Sequence, residues 1–246
     1  MGSEMCIRDR NKPDQGLAYF MYNPALLFDA PITLVGGAEV SAKNFRESMQ
    51  FASTAIAADG GANTCLRYGI NPVAVIGDLD SIDENSKNQI KQDLIHFISD
   101  QDDTDFEKAL KRIHAPLILG VGFLGDRVDH QMAAQTALVK NFDKKVVLIG
   151  SHDLIFLTPP DFSLTLGNMC RVSLYPMGEC SIGSVGLKWN TEGIEFSPSS
   201  TIGTSNHATR DEIELYPSKP LILTIVPREF LAATCVALTS SKNWPI

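Results

Sequence analysis

Two aspartates one residue apart, Asp78 and Asp80, close the stretch "VAVIGDLDSI". The apolar run ending in Gly77 reads as an interior strand of a parallel sheet, and such sheets carry their chemistry at the carboxyl ends of their strands. In extended chain, residues two apart project to the same side, so the pair could aim its oxygens at one point. That arrangement suits a hard divalent cation such as magnesium, which is held by one or two carboxylates together with substrate phosphates. The competing reading is a turn in which Asp80 or Ser81 caps a helix starting near Asp83.

Three further segments carry side chains of related kind. "SDQDDTDFEKAL" crowds Asp100, Asp102, Asp103 and Asp105 into a strand-to-helix junction. Such crowding costs free energy unless solvent or a cation screens it. The alternative there is a solvated cap, with Thr104 or Asp103 as N-cap and Glu107 completing a capping box. "GVGFLGDRVDH" contains Gly120, Gly122 and Gly125, formally a G-x-G-x-x-G. It follows about the fifth strand rather than the first and sets Asp126 where a pyrophosphate would lie, so a dinucleotide site is rejected. Beyond the glycines, Arg127 could grip phosphoryl oxygens bidentately with Asp129 in reach and His130 beside it; the alternative is an Arg–Asp surface pair. "AADGGANTC" supplies Asp59, Gly60, Gly61 and Asn63, a Gly-rich turn suited to cradling phosphate or to making an ordinary tight turn. No G-x-x-x-x-G-K-[ST] occurs, which excludes a P-loop enzyme.

These residues need a scaffold that brings strand ends together. From Pro31 to Gly150, apolar runs ("ITLVGG", "TAIAADGG", "VAVIGD", "LIHFIS", "LILGVG", "KVVLIG") alternate with amphipathic helical segments. That rhythm predicts an α/β fold with a doubly wound parallel sheet, helices on both faces, and all four motifs at one edge. After Ser151 the chain turns to short β-rich pieces broken by Gly, Pro, Ser and Thr, which predicts a smaller all-β sandwich domain. The expected division is an N-terminal extension over 1–30, an α/β domain over 31–150 and a β domain over 151–246. Within the last, "SPSSTIGTSNHATRD" reads as an exposed loop between two strands.

Composition narrows the function classes. A chain of 246 residues with 44% hydrophobic content can bury real cores. Its 21 basic and 29 acidic residues give a net charge of -8, and no basic run is dense enough to track a nucleic acid. The five cysteines, Cys6, Cys65, Cys170, Cys180 and Cys235, form no C-x-x-C pair, which indicates neither zinc knuckle nor disulfide framework and suggests a reducing, cytoplasmic setting. No signal-peptide core and no uninterrupted apolar run of about 18 residues is present, which disfavours export and membrane insertion. The opening "MGSEMCIRDR" matches neither strand nor helix periodicity and is set apart from the fold as foreign.

In order, "ADGGAN", "GDLDS", "DQDDTDFEKAL", "GDRVDH", "GLKWN" and "TSN" resemble the motifs of the thiamine pyrophosphokinase family, over about Ile32 to Val226. The resemblance implies transfer of a pyrophosphoryl group from ATP to the thiamine hydroxyl, giving thiamine diphosphate and AMP. It also implies an α/β domain joined to a β-sandwich, in a homodimer whose active site is shared between chains. Carried over residue by residue, it makes Asp78, Asp80 and Asp105 the magnesium ligands. Asp59, Gly60, Gly61, Asn63, Ser81, Gln101, Thr104 and Lys108 become the ATP-binding set. Arg127 and Asp129 flank the transferred group, Trp189 stacks on thiamine, and Ser205 with Asn206 make polar contacts to it. Read without the motif, Trp189 is a core tryptophan. Family members commonly have Gly before the arginine, where this chain has Asp126; an acid there would weaken phosphate binding or face solvent. Two rival readings are a magnesium-dependent D-x-D phosphatase and a catalytically impaired module that binds thiamine or nucleotide.

Overall fold

The computed structural model describes residues 25–100 and 102–245. Its first half runs β1 (Leu26–Leu27), β2 (Ile32–Val35), α1 (Ala42–Phe51), β3 (Thr54–Ala58), α2 (Gly61–Arg67), β4 (Ala74–Gly77), α3 (Glu84–Gln89) and β5 (Ile95–Phe97). It continues through α4 (Asp105–Arg112), β6 (Ile113–His114), β7 (Ile118–Val121), α5 (Val128–Lys140) and β8 (Val146–Ile149). The β-rich half comprises β9 (Asp153–Leu157), β10 (Phe162–Thr165), β11 (Arg171–Pro176), β12 (Cys180–Val185), β13 (Glu195–Phe196), β14 (Gly203–His207), β15 (Glu212–Pro217) and β16 (Ile222–Pro227), followed by α6 (Leu231–Ser240). Each of the six apolar runs contains a strand, and the five amphipathic segments are α1 to α5.

Those six strands pair in parallel in the order β8-β7-β2-β3-β4-β5. Burial on both faces is what makes five of them read as unbroken apolar runs, whereas β5, at the sheet edge, is only partly buried and leaves Phe97 exposed. Ile32, Leu34, Ile56 and Ile76 pack on one face with Leu110 of α4 and Leu138 of α5. Val35, Ala57 and Val75 pack on the other with Phe45 of α1 and Cys65 of α2. The sheet does not stop at β8: β9 joins it antiparallel, and β16, β11 and β14 extend it to ten strands. A second sheet, β10-β15-β12-β13, is wholly antiparallel. In β10, Phe162 and Leu164 are buried while Ser163 and Thr165 are exposed, the alternation of a strand with one wet face. Its inner face meets Phe156, Val172 and Leu174 of the large sheet to form the sandwich, and that core is continuous with the α1/α2 side of the α/β half.

One expectation is corrected. The polar run "SPSSTIGTSNHATRD" holds β14, the edge strand paired with β11, because an edge strand needs main-chain partners rather than apolar side chains. The β-rich pieces "SLTLGN", "RVSLYPMG", "GIEFSPSS" and "LILTIVP" fall on β10, β11, β13 and β16, whereas β9, β12, β15 and α6 lie outside them.

The chain leaves β2 toward β3, β4 and β5, then returns to β7 on the other side of β2, so the strand order reverses between β2 and β7. The loops after these two strands meet closely. Gly122 has φ 78°, and a Cβ there would stand 2.6 Å from the Gly36 carbonyl oxygen. Backbone packing thus accounts for the central glycine of the G-x-G-x-x-G without a nucleotide. Gly61, at the start of α2, is seated so tightly on β2 that a Cβ would overlap the Val35 carbonyl oxygen. Gly61→Ala is therefore expected to cost at least about 2 kcal/mol, as overpacked sites do. A urea midpoint equal to wild type would show that α2 can shift away from the strand.

Candidate active site

Asp59 follows β3 directly and turns the chain into α2 with φ 43°. Asp78 follows β4, and Asp105 is the first residue of α4. One oxygen from each of these three carboxylates lies within 4.8 Å of the other two. Gly77 makes the approach possible, since a Cβ there would stand 2.9 Å from Asp59 Cβ and 3.2 Å from Asp105 Oδ1. Lys108, one turn along α4 and only 4% exposed, donates to Asp105 Oδ1 at 2.9 Å and to Asp78 Oδ2 at 3.3 Å.

The electrostatics follow from burial and crowding. Burial, helped by repulsion from Asp105 and Asp78, pushes the Asp59 carboxyl above its usual range against hydrogen bonding from Ser81 and Gly60. Asp105 is raised in the same way, by burial first and then by Asp78 and Asp80, with Lys108 opposing. Burial works against the Lys108 charge, but Asp105 and Asp78 outweigh it and hold the ammonium above its usual range. Asp59 Oδ1 is buried with no hydrogen-bond partner among the described residues. An orphaned carboxylate oxygen, two more carboxylates beside it and a space kept open by Gly77 fit a hard divalent cation with oxygen ligands.

Asp80 lies beside this group rather than in it. The same-side argument needs an extended residue between the two aspartates, and Leu79 instead has φ 64°. Asp80 is exposed and accepts from Ser81 Oγ at 2.8 Å. The helix-capping role falls to Asp83, whose Oδ1 accepts from Ser86 N at 2.7 Å, and not to Asp80 or Ser81. Asn63 ties α2 to this loop: its Nδ2 donates to the Ser81 carbonyl at 3.0 Å and its Oδ1 accepts from Asp83 N at 3.2 Å. Gly60 is the N-cap of α2, packed beside Ser81. Thr104 is the N-cap of α4, with Glu107 completing the box. Gln101 lies outside the described residues.

Arg127 and Asp129 occupy the start of α5. Both are exposed, and they grip each other through Nε–Oδ1 at 3.2 Å and Nη2–Oδ2 at 2.6 Å. The guanidinium hydrogen bonds hold the Asp129 carboxyl below its usual range. Asp126 is exposed to solvent.

The third constellation is on the far edge of the large sheet. Trp189 is 54% exposed, so it is not a core tryptophan. Its ring meets His207 edge-on at 5.2 Å, and Lys188 Nζ stands 4.8 Å from its centroid. Asn206, buried at the end of β14, holds the Trp189 backbone at both ends: Oδ1 accepts from Trp189 N at 3.1 Å and Nδ2 donates to Trp189 O at 2.7 Å. Ser205 is exposed at φ 61°, with its N–H donated to Ser173 Oγ at 3.1 Å. From β3 to β14 is seven strand-to-strand steps, on the order of 34 Å along the sheet at about 4.8 Å per step.

Sequence reasoning left two features of the site unassigned. The Gly-rich turn suggests a phosphate cradle for Asp59, although an Asp ending an apolar strand is the same signal as Asp78. The clamp made by Asn206 carries no local signal, because its partner is 17 positions away.

A parallel sheet with an acidic carboxyl edge, continued into a β-sandwich that exposes a tryptophan, defines an α/β protein with an appended β domain. Residues 45–149 match the family model described as "Thiamin pyrophosphokinase, catalytic domain", and residues 163–222 match "Thiamin pyrophosphokinase, vitamin B1 binding domain". The chain is 30% identical over 207 residues to thiamine pyrophosphokinase 2 of Oryza sativa subsp. japonica, covering 69% of this chain and 76% of the relative. It is 28% identical over 190 residues to thiamin pyrophosphokinase 1 of Caenorhabditis elegans, covering 69% and 77%. The fold is shared with thiamin pyrophosphokinase from Candida albicans at TM-score 0.68 and 16% identity, over 83% of this chain and 93% of that one. It is likewise shared with the enzyme from Geobacillus thermodenitrificans at TM-score 0.67 and 24% identity, over 80% and 96%. This chain belongs to the thiamine pyrophosphokinase family.

The acidic trio yields a prediction about stability. Asp59→Asn removes one charge from a crowded, buried group, so the cation-free protein should melt higher, by roughly 2–4 °C if about 1 kcal/mol is relieved. The rise in melting temperature on adding millimolar Mn2+ should shrink in the same variant. Calorimetry in EDTA and in Mn2+ reads both, and an unchanged Mn2+ increment would remove Asp59 from the ligand set.

Proposed function

We propose that this chain transfers the pyrophosphoryl group of ATP to the hydroxyl of thiamine, giving thiamine diphosphate and AMP. The observation that carries the reading is the presence, in one chain and in family order, of the catalytic match over 45–149 and the vitamin B1 binding match over 163–222. The acidic trio falls within the first and Trp189 within the second. Asp59, Asp78 and Asp105 would hold magnesium, with Asp80 adjacent. When bound, the ion supplies positive charge to phosphate oxygens and so stabilises the transferring group.

The chain's own residues have the following roles in this reading. Thiamine's hydroxyl oxygen forms a bond to the β-phosphorus, and the bond from that phosphorus to the oxygen bridging to the α-phosphate breaks, releasing AMP. Such transfer asks mainly for positioning and charge neutralisation. Lys108 keeps its charge inside the acidic edge and faces the phosphates. Arg127 lends its fork to phosphoryl oxygens, leaving Asp129 to accept the hydroxyl hydrogen. Once Arg127 has turned to the phosphoryl oxygens, Asp129 loses the guanidinium hydrogen bonds that lower its carboxyl, and it orients the hydroxyl and takes its proton as the bond to phosphorus forms. Asn63 positions the loop carrying Asp80 and Ser81; Gly60, Gly61, Thr104 and Gln101 complete the ATP side. Trp189 presents an aromatic face to thiamine, Ser205 a polar contact, and Asn206 supports the tryptophan.

The separation of the acidic edge from Trp189 within one chain exceeds what a single thiamine can span. This supports a homodimer in which one protomer's acidic edge faces its partner's tryptophan; two-fold pairing is the commonest closed assembly. No described helix is long and apolar enough to cross a membrane.

AMP should appear when the protein is mixed with ATP, magnesium and thiamine, and only with all three. Phosphate release without thiamine would favour a D-x-D phosphatase, and no product a binding module. The Asp78→Asn chain should be inactive, and Trp189→Ala should lose about 1–3 kcal/mol in thiamine binding, turning over about 5- to 150-fold more slowly at thiamine well below saturation, the condition used for mixing. Mixed with verified subunit exchange, they should recover about a quarter of wild-type turnover, since half the dimers would contain one intact site of two. Inactive heterodimers would rule out the shared site.

A further inference from the structure

Glu107 stands at the third position of α4, two residues past Asp105 and one before Lys108. Its side chain is 7% exposed, and the chemistry above makes no use of it. Buried carboxylates are costly unless paired and hydrogen-bonded. This one has both oxygens engaged. Oε1 accepts from Lys140 Nζ at 2.7 Å. Oε2 lies 3.4 Å from the Thr104 backbone N and 3.4 Å from Thr104 Oγ1, while Thr104 Oγ1 accepts from Glu107 N at 3.3 Å.

The geometry separates this carboxylate from its acidic neighbours. Helical residues are spaced at roughly 100° around the axis, so Asp105 and Lys108 share a face and Glu107 leaves by another. The first face meets Asp78 at the end of β4; the second meets Lys140, the last residue of α5. An acid in the first turn of one helix and a base in the last turn of another each complement the local helix dipole. With only eight residues, α4 has little stability of its own. Phe106 and Leu110 seat α4 on the core, and the polar groups that set its first turn are Lys108 to Asp78 on one side, Glu107 to Lys140 on the other, and the capping box at the end.

We propose that Glu107 is a positioning residue for the reaction. Bound between Thr104 and Lys140, it fixes the first turn of α4 and so places the Asp105 carboxylate and the Lys108 ammonium against Asp78. The proposal rests on the reading of Asp59, Asp78 and Asp105 as cation ligands.

Mn2+ titration of the substrate-free protein, followed by the electron paramagnetic resonance of the free ion, tests it without turnover. Glu107→Ala, which removes both grips, should weaken Mn2+ binding by about 10-fold, the lower end of the losses seen when supporting partners of metal ligands are removed. Glu107→Gln keeps a capping acceptor but loses the ion pair, and Lys140→Met loses the ion pair alone; both should fall between Glu107→Ala and wild type. Thiamine affinity should stay at the wild-type value in all three. If Glu107→Ala does not fold, the other two variants decide. Wild-type Mn2+ affinity in the folded variants, even with lowered melting temperatures, would reduce Glu107 to a stability role and overturn the proposal. A wild-type protein that binds no Mn2+ would instead bring down the ligand reading, and the proposal with it.

Discussion

Repulsion among Asp59, Asp78 and Asp105 is the constraint around which the carboxyl edge of the sheet is built. Three carboxylates with oxygens inside 4.8 Å face the ammonium of Lys108, which reaches Asp105 at 2.9 Å and Asp78 at 3.3 Å. No isolated peptide would hold such a group together. Here the strands do it: Asp59 N donates to the Ile76 carbonyl at 2.8 Å, so β3 and β4 are locked side by side up to the residues that repel. Asp59 and Leu79 both sit at positive φ, a conformation that non-glycine residues adopt at a cost and that collects at functional sites. Stability has been given up locally for a concentration of negative charge, and the apolar packing behind it supplies the difference.

That packing is shared by the whole chain. The core that begins under α1 and α2 runs without interruption into the sandwich, and the large sheet passes from parallel to antiparallel strands at β8 and β9. The acidic trio and Trp189 consequently belong to one continuous sheet, β3 and β14 standing seven strand-to-strand steps apart. In the proposed reading the second surface comes from another copy of the chain, and the exposed ring of Trp189 is braced by Asn206.

Local chemistry was legible wherever a residue's role depends on its near neighbours. The capping box of Thr104 and Glu107, the Arg127–Asp129 fork and the six parallel strands all follow from spacings of a few residues or from short apolar runs. β14 escaped because an edge strand is specified by the partner beside it, and its own residues, Gly-Thr-Ser-Asn-His, resemble a loop.

By itself the sequence determined the order of the elements from β2 to β8, the class of fold and the types of side chain delivered to the carboxyl edge, because the periodicity of apolar residues and the identity of strand-end residues are properties of short segments. Only the tertiary structure decided which carboxylates meet. The sign of φ at Leu79 turns Asp80 aside, and the pairing of β3 with β4 brings Asp59 in, although 19 positions separate it from Asp78. It also decided that Glu107 faces Lys140 and that Asn206 serves the Trp189 backbone. Those contacts join residues distant along the chain, and their geometry exists only once the sheet has formed.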